Sequence, residues 1–396
     1  MPEPMPHKNT PTAAITPAIH RGYIEGYYGR LLSWQDRSFL LAHLSALPCD
    51  AYLYAPKEDI YHRRQWRTPY DADFIAHFSA FTAEARQADI RVLAGIAPGL
   101  DFNFPTPDTA PDAVPDTDKA ALFAKADALI KAGADAIVLM FDDISDDLSH
   151  LEAAGLDEGV CHAQLASLLA AYLRAPVMLV PRLYSDEISG AHDAYAHALN
   201  QHLDPRINIL LCGETIVAET VNIQGRAGCI GNKLQNPLII WDNLYCNDYC
   251  PRRLFLGPYQ GRRPQDPILL NGTGMPQTDA LLLSLMCGQP QKQILRDAGV
   301  PDAIEILLPF FDLPVFSGQY ISGQRGISAK PSDIPSLLAA IETLLWEWKS
   351  PLALEWYPYL FGLKHDLLFY ADELPEERLA KTQTPALSAK LLSDQK

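Results

Sequence analysis

Two adjacent carboxylates, Asp142 and Asp143, end an apolar run and are the first candidates for chemistry in this sequence. The run before them, residues 137–141, lacks polar–apolar alternation, which is typical of a strand covered on both faces in a parallel α/β sheet. Such folds collect functional groups at the carboxyl ends of their strands. The same pair could equally cap the next helix or lie in a solvated loop. Its chemistry therefore depends on the residues that accompany it.

Polar and aromatic residues follow other strand-like runs. Lys57 follows the run 51–54; it either donates hydrogen bonds into a pocket or pairs with Glu58 in a solvated loop, which its spacing alone favours. The other residues are Tyr27, Tyr28, Tyr184, Trp241, Asn243 and Asp248. Carboxylates, amides and a Lys bind sugar hydroxyls, and a flat aromatic side chain covers the apolar face of a sugar ring. These residue types therefore indicate a carbohydrate site.

The elements that must position these residues are eight strand-like runs separated by helical or loop segments. They span about 250 residues, the usual size of a (β/α)8 barrel. An open doubly wound sheet is the alternative, but the sequence has no Gly-x-Gly-x-x-Gly turn to support it. We therefore predict an α/β fold, a (β/α)8 TIM-type barrel with a C-terminal helical appendage. The runs are residues 21–25, 51–54, 91–96, 136–141, 176–180, 207–211, 237–241 and 267–270.

This pattern divides the chain into four parts. They are a disordered N-terminal tail (1–20), the catalytic barrel (21–290), a helical C-terminal region (291–380) and a frayed tail (381–396). The C-terminal region is rich in aromatic residues, which we expect to pack on the barrel rather than to form a separate ligand platform. These residues are Trp346, Trp348, Trp356, Tyr357 and Tyr359.

The composition is that of an ordinary globular protein with a formal net charge of −16. This charge argues against a nucleic-acid or anionic-membrane partner, because phosphate binding needs positive surface. Residues 1–18 lack the apolar segment of a signal peptide, and no run is long enough to span a bilayer. The seven cysteines are scattered, which favours reduced thiols. We predict a cytoplasmic protein.

Several motifs, taken in order, resemble glycoside hydrolase family 84, the O-GlcNAcase and hyaluronidase-like β-N-acetylglucosaminidases. The resemblance covers roughly residues 21–274 and departs from the family at residues 212–214, where a Trp-Thr-Gly-like segment is usual. We therefore expect the pocket rim there to differ in shape. The motifs are Gly-Tyr-Tyr-Gly-Arg (26–30), Tyr-Leu-Tyr-Ala-Pro-Lys (52–57), Pro-Gly-Leu-Asp (98–101), Phe-Asp-Asp-Ile (141–144) and Trp-Asp-Asn (241–243).

The resemblance implies a retaining β-N-acetylglucosaminidase whose nucleophile is the 2-acetamido oxygen of the substrate, acting through an oxazoline intermediate. Such substrate-assisted families are exceptions to the usual pair of acid and carboxylate nucleophile. Asp142 would accept a hydrogen bond from the acetamido N–H. Asp143 would be the general acid and then the base. We expect the adjacent charges to separate the two pKa values, leaving Asp143 protonated often enough to act near neutrality.

The family motifs also imply the substrate contacts. Asp248 would accept from the O4 and O6 hydroxyls, and the Gly26 backbone, Lys57 and Asn271 would bind other hydroxyls. Asn243 would hold the acetamido-side geometry. Tyr184 and Trp241 would line the N-acetyl pocket.

The resemblance implies no cofactor and no metal, and a β-linked N-acetylglucosamine conjugate, either glycoprotein or glycan, as partner. The chain could be a monomer or a homodimer. Two alternatives stay open at this point. One is a catalytically silent sugar-binding barrel, and the other is a metal-dependent barrel hydrolase.

Overall fold

The computed structural model describes residues 19–104, 117–223, 228–249, 253–311 and 333–371. Within these ranges eight parallel strands close a barrel in sequence order, and β1 pairs with both β2 and β8. The predicted (β/α)8 barrel is therefore confirmed. The strands are β1 (Arg21–Glu25), β2 (Ala51–Tyr54), β3 (Arg91–Ile96), β4 (Ala136–Met140), β5 (Val177–Val180), β6 (Asn208–Leu211), β7 (Leu238–Asp242) and β8 (Ile268–Asn271).

Helices surround the barrel and continue beyond β8. In the described ranges they are α1 (Trp34–Ser45), α2 (Ala72–Gln87), α3 (Thr117–Lys131), α4 (Ser149–Ala153), α5 (Glu158–Leu173), α6 (His192–His202), α7 (Gly228–Lys233), α8 (Pro276–Met286), α9 (Gln291–Asp297), α10 (Leu308–Phe311), α11 (Ile334–Trp346) and α12 (Pro351–Tyr370). None of these helices combines the length and the apolar composition that crossing a membrane requires.

The barrel strands form where the sequence is continuously apolar. Every residue of β4, β5, β7 and β8 is buried, as expected of parallel strands with helices outside and packed side chains inside. Several helices begin at residues that cap their free N–H groups. Ser33 and Asp36 form a capping box at α1, and the Asp71 side chain accepts from the backbone N–H of Phe74 at 2.8 Å. Sequence patterning and capping therefore set the βα alternation.

A buried ion pair fixes the carboxyl end of β1. The Glu25 carboxylate accepts two hydrogen bonds from the Arg37 guanidinium, each of 2.8 Å, and one from the Tyr52 hydroxyl at 2.9 Å. Because both charges are buried, their mutual hydrogen bonds are what makes the burial tolerable. This arrangement anchors the strand end from which Gly26 continues.

The C-terminal helices contact the barrel through α8. The Glu355 carboxylate of α12 accepts from the backbone N–H groups of Gln277 and Thr278, at 3.0 and 2.7 Å. Beside it, the Trp356 indole N–H donates to the Thr278 hydroxyl at 2.9 Å. Trp356 is fully buried, whereas the Trp346 residue is 54% exposed. The expected packing therefore holds for part of the aromatic set.

The boundaries of the predicted parts remain a prediction. Residues 1–18 of the predicted N-terminal tail and all of the predicted frayed tail, 381–396, lie outside the described residues. The described helices α9 to α12 lie within the region that was predicted to be helical, 291–380.

Candidate active site

The two adjacent aspartates enter one cavity because the backbone changes conformation between them. β4 ends at Met140, and Asp143 adopts a left-handed backbone with φ of 53°. Neighbouring side chains on a regular strand point to opposite faces, and Asp is among the residues that tolerate the left-handed region. Both carboxyl groups line the same cavity, of about 410 Å³, at the carboxyl ends of the barrel strands.

Lys57 lies between these carboxylates. Its ammonium group donates to Oδ2 of Asp142 and is 3.6 Å from Oδ2 of Asp143. The Lys57 side chain is 2% exposed, so the solvated loop lysine that spacing alone favours is wrong. The other oxygen of Asp142, Oδ1, is buried and has no hydrogen-bond partner among the described residues. An unpaired buried carboxylate oxygen is costly, so a donor brought to Oδ1 of Asp142 would stabilise it.

Asp143 lies nearer to the mouth of the cavity, with a side chain that is 30% exposed. Its Oδ1 accepts from the Tyr184 hydroxyl at 2.8 Å and its Oδ2 from the Tyr28 hydroxyl at 3.0 Å. Burial raises the pKa of Asp143, but the Lys57 charge, these two hydrogen bonds and the Arg63 charge together outweigh it. The pKa of Asp143 is therefore lowered, and the expectation of a proton on this group near neutrality is wrong for the free site.

A network of amides forms the wall opposite the aspartates. Oδ1 of Asn243 accepts from the Trp241 indole N–H at 3.0 Å and from Nδ2 of Asn271 at 2.9 Å. Oδ1 of Asn271 accepts from the backbone N–H of Gly26 at 3.2 Å. A Cβ atom at Gly26 would lie 2.5 Å from the Trp241 ring, so a glycine allows the ring to pack there. The network therefore fixes the ring and both amides.

Asp248 joins two loops at the rim of the cavity. One carboxylate oxygen accepts from the backbone N–H of Tyr28 at 2.9 Å, and the other from the backbone N–H of Tyr249 at 2.7 Å. A carboxylate has about four acceptor sites, so each oxygen can still accept from a ligand hydroxyl. The orientation of Asp248 is therefore set in advance of binding.

All residues predicted for the site line this one cavity: Gly26, Lys57, Asp142, Asp143, Tyr184, Trp241, Asn243, Asp248 and Asn271. The roles assigned to them remain predictions. Within the described residues, no three His, Cys, Asp or Glu side chains come together in a way that could hold a metal ion.

Comparison with known proteins identifies the family. The model of a family described as beta-N-acetylglucosaminidase matches residues 21–272, which include every strand of the barrel. The chain belongs to this beta-N-acetylglucosaminidase family. Its resemblance to glycoside hydrolase family 84 is thereby confirmed, and the family and its curated relatives are glycoside hydrolases.

Two of those relatives are the proteins named Protein O-GlcNAcase from Rattus norvegicus and Mus musculus. Each is 29% identical over 248 residues, which are 61% of this chain and 26% of the relative. The chain thus spans about a quarter of the length of these relatives. Among solved structures, a mutant O-GlcNAc hydrolase from Thermobaculum terrenum shares the fold, with a TM-score of 0.69 at 20% identity over 95% of this chain and 88% of that one.

The departure from the family pattern at residues 212–214 lies on the cavity wall. Cys212 lines the cavity, and its Sγ accepts from Nδ2 of Asn243 at 3.4 Å. The same amide donates to the backbone carbonyl of Ile216 at 3.0 Å. Together with Ile216 and Val217, Cys212 gives this family member an apolar wall beside the amide network. A wall of apolar side chains suits an apolar ligand group better than a hydroxyl.

The structure places three further residues around Asp143 and Asp248. Sequence patterns include Tyr28 among the residue types of a carbohydrate site but give no role to Tyr249 or Arg63. Tyr28 contacts both carboxylates, Tyr249 lies at the rim, and Arg63 donates to the Tyr28 hydroxyl at 2.9 Å. Tyr28 and Arg63 lie within or next to the motifs that carry the family resemblance. Their position in or near these motifs is the sequence signal that could have identified them as site residues. The contacts themselves depend on how three separate loops meet.

Proposed function

We propose that this protein is a retaining β-N-acetylglucosaminidase that cleaves terminal β-linked N-acetylglucosamine with the help of the substrate's own acetamido group. The observation that carries the proposal is the shared cavity of Asp142 and Asp143, in which Oδ1 of Asp142 is an acceptor that lacks a donor. Membership of the beta-N-acetylglucosaminidase family supports the same activity. The apolar wall at Ile216 and Val217 provides space for the acetamido methyl group.

In the first step Asp142 accepts a hydrogen bond from the acetamido N–H and so turns the acetamido oxygen towards the anomeric carbon. That oxygen attacks the carbon, the bond to the glycosidic oxygen breaks, and Asp143 gives its proton to the departing oxygen. The charge that develops on the acetamido group is stabilised by the Asp142 carboxylate. Lys57, already bonded to Asp142, keeps that carboxylate oriented.

In the second step a water molecule attacks the anomeric carbon of the oxazolinium-like intermediate, whose nitrogen keeps its proton in the hydrogen bond to Asp142, and the ring reopens. Asp143, now a carboxylate, takes the proton from that water, and the bond from the carbon to the acetamido oxygen breaks. Two displacements at one carbon restore the β configuration, so the product retains the stereochemistry of the substrate. Neither step needs a nucleophile from the protein, which agrees with two adjacent carboxylates serving different roles.

The pKa of Asp143 decides how this acid works. It is lowered in the free site, so the proton must be held there in the complex. A bound sugar excludes water from the cavity, and desolvation favours the neutral carboxylic acid. In the proposed mechanism, substrate binding therefore raises the pKa of Asp143, so that its carboxyl group is protonated in the complex.

The proposed substrate is a conjugate with one terminal N-acetylglucosamine. A cavity of about 410 Å³ lies within the range of small-ligand sites and offers space for a single sugar ring. The relatives named Protein O-GlcNAcase favour a glycoprotein over a free glycan. A cytoplasmic location, and no nucleic-acid or membrane partner, belong to the same proposal, in keeping with a formal net charge of −16.

The test is hydrolysis of 4-methylumbelliferyl N-acetyl-β-glucosaminide by the whole chain. The matched substrate is the corresponding β-glucoside, which keeps the leaving group and lacks the acetamido nucleophile. We expect cleavage of the first only, and a rate that falls when the acetamido group carries fluorine atoms, because fluorine makes its oxygen a poorer nucleophile. Equal rates on both sugars would overturn the mechanism, and binding without hydrolysis would indicate a silent sugar-binding barrel.

A further inference from the structure

Arg63 is a buried cation that lies outside the cavity lining and connects three of the loops around it. It belongs to the segment that follows β2. One nitrogen of its guanidinium donates to the Tyr28 hydroxyl, in the loop after β1, at 2.9 Å. Another donates to the backbone carbonyl of Asp143, after β4. A planar guanidinium can make both bonds at once because its donors have a fixed fork geometry.

The bond from Arg63 to the Asp143 carbonyl acts on the backbone conformation that directs the Asp143 side chain into the cavity. Asp143 has φ of 53°, a conformation that side-chain-bearing residues rarely adopt without support. The bond from Arg63 to the Asp143 carbonyl fixes the peptide immediately after this residue. Without that bond, the backbone could relax to an extended conformation and turn the carboxyl group away from Asp142.

The first bond acts on the carboxyl group itself. The Tyr28 hydroxyl has one hydrogen, which it donates to Oδ2 of Asp143 at 3.0 Å. Its oxygen then accepts from Arg63, so the chain of bonds runs from guanidinium to hydroxyl to carboxylate. Burial and the neighbouring Asp143 raise the pKa of Tyr28, which therefore keeps its proton for this bond.

We propose that Arg63 is a positioning residue for the general acid, holding the backbone of Asp143 directly and its carboxyl group through Tyr28. This inference rests on the proposed function, in which Asp143 protonates the leaving group. Arg63 itself touches neither the cavity nor the reacting atoms. Its effect on catalysis is therefore exerted through Asp143.

The charged and titratable groups around Asp143 determine what the loss of Arg63 would change. They are Asp142, Lys57, Arg63, Tyr28, Tyr184 and Cys212. The Arg63 charge is among the influences that lower the pKa of Asp143. Removing Arg63 should therefore raise the pKa of Asp143 and leave its carboxyl group less well positioned. A residue needed only for folding would change neither the pH dependence nor the response to leaving groups.

The experiment compares Arg63→Ala and Arg63→Lys with the matched control Arg64→Ala, whose side chain is exposed next to it. The substrates are aryl N-acetyl-β-glucosaminides with poor and with activated leaving groups. For Arg63→Ala we expect kcat on the poor leaving group to fall about 100-fold, the loss typical of a misplaced catalytic group. On the activated substrate, a dinitrophenyl glycoside whose leaving group departs without a proton, we expect less than about a 5-fold change.

Two further readouts separate positioning from folding. The alkaline limb of kcat/KM on the poor leaving group should move to higher pH in Arg63→Ala. Arg63→Lys should recover part of the rate, because an ammonium group can replace one of the two bonds. If Arg63→Ala does not fold, Tyr28→Phe and Arg63→Lys are combined instead. Their effects should be non-additive, because both interrupt the same chain of bonds.

The outcomes are distinguishable. A wild-type chain that hydrolyses no N-acetyl-β-glucosaminide overturns the proposed function and this inference together. An active wild type whose Arg63→Ala variant loses the same factor on both leaving groups, with an unmoved pH profile, overturns the inference alone. Additive effects of Tyr28→Phe and Arg63→Lys would also overturn it.

Discussion

The ammonium group of Lys57 bonds to Asp142 and lies 3.6 Å from Asp143, so one cation serves two neighbouring carboxylates. It is buried with Asp142, and at such sites Coulombic interactions are stronger than in water. Adjacent carboxylates alone would favour a proton on one of them. The cation removes that preference in the free site, which explains why the pKa of Asp143 is lowered rather than raised.

Replacing Lys57 should therefore reverse the effect on Asp143. In Lys57→Met we expect the pKa of Asp143 to rise and the alkaline limb of kcat/KM to move to higher pH. We also expect kcat/KM to fall about 10- to 100-fold, because a charged donor is lost from the site. Steady-state pH profiles measure both effects. Lys349→Met, at an exposed position, is the control, and an unmoved profile in Lys57→Met would contradict the assignment.

The pH dependence of the wild-type protein follows from the same lowered pKa. A general acid works when protonated, so its contribution is present below its pKa and is lost as the pH rises through it. Since kcat/KM reports the free protein, on a poor leaving group it should rise steadily from about pH 8 to about pH 5. On an activated leaving group it should stay nearly flat. A plateau through neutral pH on the poor leaving group would show that the free acid is already protonated there.

Asp143→Asn removes the acid without changing the size of the side chain. Activity on poor leaving groups should fall about 100- to 10,000-fold, the usual contribution of a general acid. Activated aryl substrates should be largely spared in the first step, because their leaving groups depart without a proton. Initial rates across a series of aryl leaving groups give this dependence, with Asp146→Asn, in the exposed loop beyond the site, as the control. Equal loss across the series would remove Asp143 from the acid role.

Asp142→Asn should slow the first step with every leaving group. An amide has no negative charge to stabilise the oxazolinium-like state, which predicts a loss of about 100- to 1,000-fold, as for an electrostatic stabiliser. Single-turnover measurement of aglycone release tests this directly. Unchanged release from an activated aryl substrate would mean that Asp142 does not orient the acetamido group.

Gly26→Ala tests the close packing between the first and seventh strand ends. The added methyl group would lie 2.5 Å from the Trp241 ring, which lines the cavity, so the ring must move from its place beside Gly26. We expect a higher KM and a loss of about 1–3 kcal/mol in the free energy of unfolding, as in overpacked cores. Denaturant unfolding measures the second effect. The same change in a Trp241→Leu background should cost less, since the contact is gone, and an equal cost would place the strain elsewhere.

The sequence predicts the barrel well because its strands are local and continuously apolar. β1, β2 and β3 have the predicted bounds, and the other strands differ only at their ends. The C-terminal region is predicted less well. Within the region predicted only as helical, 291–380, the chain forms a 3₁₀ turn at Asp302–Ile304 and then α10, and the general prediction gives neither boundary. Pro309 lacks an N–H group and is tolerated only in a first helical turn, so the helix begins at Leu308.

The site shows a different limit. The residue types at the strand ends predict a sugar site, and the family motifs contain several of the residues that form it. The burial of Lys57 and the lowered pKa of Asp143 do not follow from the sequence, because they depend on a contact across 85 positions of the chain. The same applies to Arg63, whose partners belong to two other loops. Spacing along a chain cannot report which loops meet in space.

The contact of Glu355 with Gln277 and Thr278 has a consequence for any attempt to isolate the barrel. The first N–H groups of α8 donate their hydrogen bonds to a side chain that lies 78 and 77 positions further along the chain. A fragment cut at residue 290 would keep every strand of the ring yet leave these N–H groups, and the surface that Trp356 covers, facing water. We therefore expect a stable fragment of this chain to need α12 as well as the barrel.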